Sequence, residues 1–491
     1  MSLSAPPSWV QDAVFYQIFP DRFARSSRLP KPSNIEPWSS QPTVHGYKGG
    51  DLLGVSERLD LLADLGVTAL YFTPIFQSAS NHRYHTHDYY RVDPMLGGDA
   101  ALRELIDEAH ERGMRIVLDG VFNHASRGFF QFSDILENGP HSAYLDWFHI
   151  RQFPLNAYND GGLGYDAWWN LPALPKFNTR NPAVREYLWR VAEYWLEAGI
   201  DGWRLDVPNE IEDDGFWQEF RRRCRKVNPD CYLVGEIWGE ADPWLRGDQF
   251  DAVMNYPFTR ATFGFVARDL KHAEIAKCGY VAISELDAAG FANKANDLVT
   301  RHGEDTTRAQ LNLIGSHDTP RAHTVLCDDR QAVRMAFLLL LTFPGAPCIY
   351  YGDELGLSGG HDPFCRGTIP WDGAEEGFAD GSPAWDQALR DYVRTLARVR
   401  HENPALRRGD FRVLHAEGDL VVFARQAGSN RIVVVLNRGT RQLPLDLTVQ
   451  GEGLAGEYHD PLSGLRLTVE EGRLHGFDAP PRRGSVYLGE G

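Results

Sequence analysis

The sequence predicts an α/β protein built on a closed (β/α)8 TIM barrel, and three observations carry that expectation. Short apolar strand candidates alternate with longer amphipathic helical patterns. Eight such strands form a single series, and repeated strand–helix units imply parallel strands that close on themselves. Acids, a histidine and an arginine fall at or near the carboxyl ends of those strands, where such barrels carry their reactive groups.

The series begins with AVFYQIF (13–19). LLGVSERLDLLADLG (52–66) reads as one amphipathic helix stopped by Gly66, with VTALYFTPI as the next strand. ALRELIDEAHERG (101–113) repeats the pattern and leads into MRIVLDGV. NPAVREYLWRVAEYWLEAG (181–199) has Pro just inside its start, as helices favour, and leads into IDGWRLDV. FWQEFRRRCRKV precedes CYLVGEI. FDAVMNY, LNLIGS and PCIYYG complete the eight, the last after the helix RQAVRMAFLLLLTF.

Two segments break the alternation. Residues 125–178, rich in aromatics, Gly, Asn and Pro, are too long for a simple loop and are expected to form an inserted domain. From 408 the helical patterns stop, and FRVLHAEGDLVVFARQAGSNRIVVVLNRG alternates around hairpin turns. The expected organisation is a barrel over 1–124 and 179–407, the insertion at 125–178 and an antiparallel β-sandwich over 408–491.

The net charge of −17 argues against nucleic acid or an anionic membrane as partner. No stretch is apolar for long enough to span a bilayer, and no basic-then-apolar leader opens the chain. The six cysteines show neither zinc spacing nor a disulfide framework, which suggests reduced thiols in the cytoplasm. Thirteen Trp and 19 Tyr are many, and aromatic faces serve cores and sugars alike.

IDGWRLDV (200–207) carries the chemistry most openly. As a strand it turns Trp203, Leu205 and Val207 to one side, and Gly202, Arg204 and Asp206 to the other. An ion pair buried for stability alone gains little. Asp119 after RIVL, Glu236 in LVGEIW, and His317 with Asp318 after LIGS converge on the same mouth. Two carboxylates flanking a bond are what glycoside hydrolysis needs, one to attack and one to protonate the leaving oxygen. A fixed cation keeps the attacking group ionised, and apolar burial keeps the other protonated. The competing reading is a structural Arg204–Asp206 pair with Glu236 and Asp318 as helix caps.

In combination these motifs resemble the α-amylase superfamily, glycoside hydrolase family 13, from about residue 12 to the end. DGVFNH (119–124), GWRLDVPNE (202–210), GEIW (235–238) and IGSHDTPR (314–321) are similar to its four hallmark segments in order. LPKFN (174–178), GVTALYFTPIF (66–76) and GAPCIYYGDE (345–354) are similar to its accessory ones. PWLRGDQFDAVMNYPF (243–258) and GGHDPFCRGTIPWD (359–372) resemble the neopullulanase, cyclomaltodextrinase and maltogenic amylase branch.

The resemblance implies a retaining hydrolase of α-1,4-glucosidic bonds in maltooligosaccharides, cyclodextrins or starch. Asp206 would be its nucleophile, Glu236 its acid/base and Asp318 the carboxylate that grips the central sugar. It also implies that His124 and His317 bond that sugar, Arg204 holds Asp206, and Tyr84 stacks at the cleavage point. Asp119 belongs to the same mouth. Asp362 and Arg366 would bind the non-reducing side, and Asn209, Glu210 and Trp238 the leaving-group side. Tyr158, Tyr165, Trp168 and Trp169 of the insertion serve either as sugar platforms or as packing.

Three departures qualify the resemblance. His85 in NHRYHTHDYY stands where relatives often carry Asp, and His82, His85, His87 and Asp88 allow a metal reading by residue type. FPDRFARSSRLPKPSN (19–34) occupies the place of an acidic calcium loop, and Arg, Ser and Lys are poor ligands for a hard cation. Asp51 alone makes a weak calcium site, so no cofactor is expected to be required. Relatives also carry an N-terminal β domain that supplies their dimer contact, whereas the first strand here begins near 13. The corresponding expectation is a monomer or an atypical dimer, with easier entry for long glucans. The rival readings are a transglycosylase or glucosyl isomerase on the same residues, a metal-dependent barrel hydrolase, and a non-catalytic sugar-binding member.

Overall fold

The computed structural model describes residues 5–159, 161–278, 282–371, 385–449, 453–476 and 478–490. Asp372, which ends the GGHDPFCRGTIPWD segment, lies outside them. Eight parallel strands close a barrel: β1 (Phe15–Ile18), β2 (Ala69–Phe72), β3 (Arg115–Gly120), β4 (Gly202–Leu205), β5 (Tyr232–Gly235), β6 (Ala252–Asn255), β7 (Leu311–Leu313) and β8 (Ala346–Tyr350). Each pairs with its neighbours in sequence order, and β1 joins β8 to seal the ring.

Almost every strand residue is buried, as expected where helices cover the outside and side chains fill the inside. Inward positions stack in layers. Phe15 and Tyr232 meet low in the barrel, with ring centroids 5.7 Å apart. One layer higher, polar residues replace them: Gln17, Tyr71, Asp119 and Arg204. Strand register places Asp119 directly beside Arg204.

The helices begin and end where the sequence provides caps. Asn181 accepts from the Ala183 amide at 2.8 Å and Pro182 opens the helix Pro182–Glu197. Asp213 caps Asp214–Val227 through the Phe216 amide. The helix expected over 52–66 is instead two, Leu52–Ser56 and Leu59–Leu65. Asp51 caps the first through the Gly54 amide, and the backbone bonds of Glu57 and Arg58 close a turn between them. Apolar periodicity continues across the break, which is why the sequence alone does not show it. The second helix ends at Gly66 in the left-handed region, φ 92°.

The insertion runs between β3 and the helix Pro182–Glu197 and contains the helix Phe130–Asn138 and short 3-10 turns. The C-terminal strands form one antiparallel eight-stranded sheet, from Asp410–Glu417 through Arg483–Gly489. Its side chains alternate between two cores. Val421, Phe423, Ile432, Val434 and Leu436 join the barrel's core. Val422, Ala424, Val433 and Val435 meet Leu445, Tyr458, Leu467 and Leu474 of the later strands in a second core. That doubling over is the sandwich arrangement.

A line of rings crosses the junction. Phe258 of the barrel meets Phe343 at 5.2 Å, Phe343 meets Phe411 at 5.1 Å, and Phe411 meets Phe423 at 5.0 Å. Phe423→Ala would leave a cavity in a fully buried place. The expected cost is about 3–5 kcal/mol, read as a lowered midpoint in urea unfolding.

Candidate active site

Strand β4 ends at Leu205, and the chain turns sharply after Asp206. Val207 has φ 35° and ψ 50°. A β-branched residue in the left-handed region is strained, and such strain persists only where the surroundings over-determine it. Here the turn aims the Val207 amide at Glu236 Oε2, 3.1 Å away. The strand expected over 200–207 is therefore shorter: it spans Gly202–Leu205, with Ile200 and Asp201 before it and Asp206 and Val207 in the turn after it.

Arg204 lies wholly buried at the floor of the mouth. Its Nη1 donates to both oxygens of Asp119 at 2.8 Å and to Asp206 Oδ1 at 2.9 Å. Its Nη2 lies 2.9 Å from Glu236 Oε2. One guanidinium thus touches carboxylates from three consecutive strand ends. Tyr84 and Tyr71 also donate to Asp119 Oδ2, at 2.8 and 3.2 Å. Glu236 Oε1 accepts from Trp238 Nε1 at 3.1 Å, and the Trp238 ring stacks on Tyr256 at 3.8 Å.

The opposite flank comes from the loops after β7 and β8. Asp318 lies 3.0 Å from His317 Nε2 and 3.3 Å from Arg366 Nη2. Arg366 also meets Asp362 at 3.0 Å and donates through Nε to the His317 carbonyl at 2.8 Å. His317 is held on its other nitrogen by Gln17 at 2.7 Å, and Tyr84 stacks on its ring at 5.4 Å. His124, at the end of β3, is buried beneath Trp168, with ring centroids 5.2 Å apart.

Burial dominates the electrostatics. It pushes Asp206 well above the ordinary carboxylate range and raises Glu236 and Asp318. Arg204 pulls Asp206 and Glu236 back, and Arg366 with Arg204 does so at Asp318. Asp119 is raised to about 6 by the same burial. Arg204 and Arg366 are too few to balance four crowded carboxylates. The carboxyls are therefore raised together and titrate as one system, with Arg204 limiting the rise at both Asp206 and Glu236. Burial has the reverse effect on imidazoles: His124 falls to about 3, and His317 lies well below its usual value. Both are neutral at pH 7, able to donate through one nitrogen and accept through the other.

The structure thus brings together Tyr84, Asp119, His124, Arg204, Asp206, Glu236, Trp238, His317, Asp318 and Arg366. Asp362 reaches the rim through Arg366. Asn209 is exposed on the turn after Val207, and its neighbour Glu210 pairs with Lys176 at 2.9 Å rather than with the carboxylate cluster. Tyr84 contributes its hydroxyl to the floor as well as its ring. Sequence reasoning missed Gln17, Tyr71, Val207 and Tyr256. The available signal was a polar atom inside an apolar strand, visible at Gln17 and Tyr71. Of the insertion's aromatics, Tyr165 is packing, 4.8 Å from Phe132, and Tyr158 lies exposed beneath Arg127 at 4.4 Å.

In the histidine run the imidazoles His82 and His85 are engaged with one another and with the backbone. His82 Nδ1 accepts from the Tyr84 amide at 3.2 Å, and the His82 and His85 rings meet edge to face at 4.9 Å. Among the described residues no cluster of His, Cys, Asp or Glu is arranged to hold a metal ion. In the segment standing in place of a calcium loop (19–34) and in the chain just after it, lysines occupy the oxygens: Lys48 beyond the segment and Lys31 within it. Lys48 Nζ already sits among the carbonyls of Pro37 (2.9 Å) and Ser40 (2.6 Å), the Ser40 hydroxyl (2.5 Å) and Glu36 (3.2 Å). Lys31 Nζ takes Asp51 at 2.8 Å and the Met95 carbonyl at 3.0 Å. Internal ammonium groups satisfy the oxygens that a hard cation would need.

The descriptions of known proteins agree with this geometry. A family described as alpha amylase, catalytic domain, matches residues 17–407, and one described as neopullulanase-like, C-terminal domain, matches 411–488. A cyclomaltodextrinase from Geobacillus thermopakistaniensis is 42% identical over 96% of this chain and 76% of its own length. The crystal structure of Ttha1563 from Thermus thermophilus is 46% identical, with TM-score 0.92, over 98% of this chain and all of the other. The native form of a debranching enzyme from Nostoc punctiforme is 46% identical, with TM-score 0.89, over the whole of both chains.

The lysine-filled oxygen cage yields a prediction. EDTA and added calcium should leave both activity and melting temperature unchanged. Lys48→Met should lower stability by about 1–3 kcal/mol for each oxygen left unpaired. Thermal melts with and without EDTA check both statements, and calcium-restored melting would contradict them.

Proposed function

The chain belongs to the alpha-amylase family of glycoside hydrolases, and from that we infer a retaining α-glucan hydrolase with Asp206 as nucleophile and Glu236 as acid/base. The observation that carries the assignment is Arg204, which holds Asp206 and Glu236 on its two terminal nitrogens. Carboxylates shared by one planar cation are close neighbours. That suits direct attack, for which a separation of about 5–5.5 Å is needed, better than the wider gap that admits a water.

The reaction proceeds in two displacements. Asp206 attacks the anomeric carbon while Glu236 gives its proton to the glycosidic oxygen, and the leaving sugar departs from the Glu236 and Trp238 flank. Glu236, now a carboxylate, takes a proton from water, whose oxygen attacks the anomeric carbon of the glycosyl–Asp206 intermediate; the bond from that carbon to Asp206 breaks, Asp206 leaves as a carboxylate and the sugar is freed. Asp318 and the neutral His124 and His317 bind hydroxyls of the central sugar, strengthening as charge develops at its ring. Arg366 and Asp362 hold the non-reducing side, and Asn209 and Glu210 face the departing one.

The substrate is an α-1,4-linked maltooligosaccharide, cyclodextrin or starch chain. Likeness to a debranching enzyme favours branch-point linkages as a second substrate, and product analysis on pullulan separates the two. The protein is taken to act in the cytoplasm, which a cysteine pattern without zinc spacing or a disulfide framework suits, as a monomer or an atypical dimer. No described helix is long and apolar enough to cross a membrane.

Asp206→Asn and Glu236→Gln should each keep the fold, since neither changes volume much. Each should lose at least about a thousandfold in turnover on maltohexaose. Retention of more than about a tenth of the rate would overturn the roles. The first sugar released should carry the α-anomer, read by proton NMR before mutarotation. A β-anomer at early times would overturn the double displacement.

A further inference from the structure

Trp169 is the most exposed large apolar side chain in the described residues, 76% accessible. It does not hang free. One face of its indole stacks on Trp168, with centroids 4.5 Å apart and planes within 11°. Trp168 in turn stacks on His124 at the floor of the site, within 18° of parallel. Three nearly parallel rings therefore climb from the buried mouth to solvent, and among the described residues the outer face of the last has no ring upon it.

The backbone is bent to achieve this. Trp169 and Asn170 both take left-handed conformations, φ 49° and 57°. Side chains other than glycine adopt that region at a cost, and two in succession are rarer still. Bonds on either side fix the bend: the Trp168 amide donates to the Leu174 carbonyl and the Leu171 amide to the Trp168 carbonyl, each at 3.0 Å. A chain that needed only to cover its core would turn this indole inward, since burying an aromatic ring is favourable. The strained turn instead presents it outward, as functional loops do.

The location is defined by its neighbours. His124 bridges Lys176, and Ala167 bridges Pro175, so the Trp168–Trp169 turn is tied to the strand-like segment that carries Lys176. Lys176 pairs with Glu210, on the turn whose Val207 amide bonds Glu236. The ring ladder is therefore linked, through Lys176 and Glu210, to the turn that bonds Glu236.

We propose that Trp169 is a platform for a glucosyl unit of the substrate chain beyond the cleaved bond, on the leaving-group side. A pyranose presents an apolar C–H face ringed by hydroxyls. The indole offers the matching flat apolar face, and the Lys176–Glu210 pair and exposed Asn209, on the segments linked to its turn, carry donors and acceptors for hydroxyls. The neighbouring charges are of mixed sign, which suits a neutral polyhydroxylated ligand. The inference rests on the hydrolase reading, and it adds a determinant of chain length to that reading.

The test measures binding without turnover. In Glu236→Gln, titration calorimetry gives Kd for maltohexaose and maltotriose. Adding Trp169→Ala should weaken maltohexaose by about five- to tenfold, the scale of one aromatic stacking contact, and maltotriose by less. Trp169→Phe should recover most of the loss, because it restores a flat ring. Kinetics in the Glu236-intact background should show the Trp169→Ala effect in KM rather than kcat. Unchanged maltohexaose affinity would overturn the proposal. So would an equal loss for both sugars, which would place the effect at His124, or a changed oligomeric state by light scattering with binding intact. Residual turnover by Glu236→Gln alone would count against the hydrolase assignment and leave the Trp169 comparison readable.

Discussion

The site depends on one buried cation. Arg204 has no solvent contact, and a guanidinium in that position is tolerable only if carboxylates surround it. Asp119, Asp206 and Glu236 do so from three consecutive strand ends. The barrel supplies the geometry: parallel register sets Asp119 beside Arg204, and the next strand brings Glu236 to the other nitrogen. Removing the arginine would leave crowded buried carboxylates without their cation. Removing one carboxylate would reopen the arginine's desolvation cost. The arrangement is thus mutually enforced, which fixes the carboxylates in place before any ligand arrives.

The same constraint explains the polar residues around it. Tyr71 and Tyr84 share Asp119 Oδ2 with Arg204, and Tyr84 also reaches His317. Gln17 holds the far nitrogen of His317, so β1 orients a residue whose loop follows β7. The strained Val207 gives its amide to Glu236. None of these groups needs to touch a sugar to matter, because each limits where a carboxylate or imidazole can sit.

The legible parts of the sequence were those where periodicity and chemistry coincided. Arg204 and Asp206 stood out because a charge inside an apolar strand has no cheap structural reason. Glu236, His317 and Asp318 stood out because they recurred at the ends of one strand series. The helix break at Glu57 and Arg58 was hidden because apolar spacing runs through it. The left-handed Val207 was hidden because alternation describes a strand and says nothing about where it stops. Tyr71 read as core, and its hydroxyl acquires meaning only when Asp119 arrives from the next strand. Lys31 read as a loop charge unsuited to calcium, whereas the cage of carbonyls around Lys48 comes from backbone atoms that no residue pattern encodes.

Floor and rim divide the work differently. On the floor, groups are buried, multiply bonded and bound to one another, so a change at one is felt by all. At the rim, Asp362, Asn209 and Trp169 are exposed and have few partners. Such positions can vary without disturbing the cation cluster. A barrel built this way can keep one bond-breaking chemistry while changing which chains it admits, because the energetic coupling that secures the floor stops short of the rim. The ring ladder from His124 to Trp169 is the exception. It fastens a rim residue to the floor by ring stacking and by the backbone bonds of its turn, outside the Arg204 network, and so gives one exposed aromatic a fixed orientation.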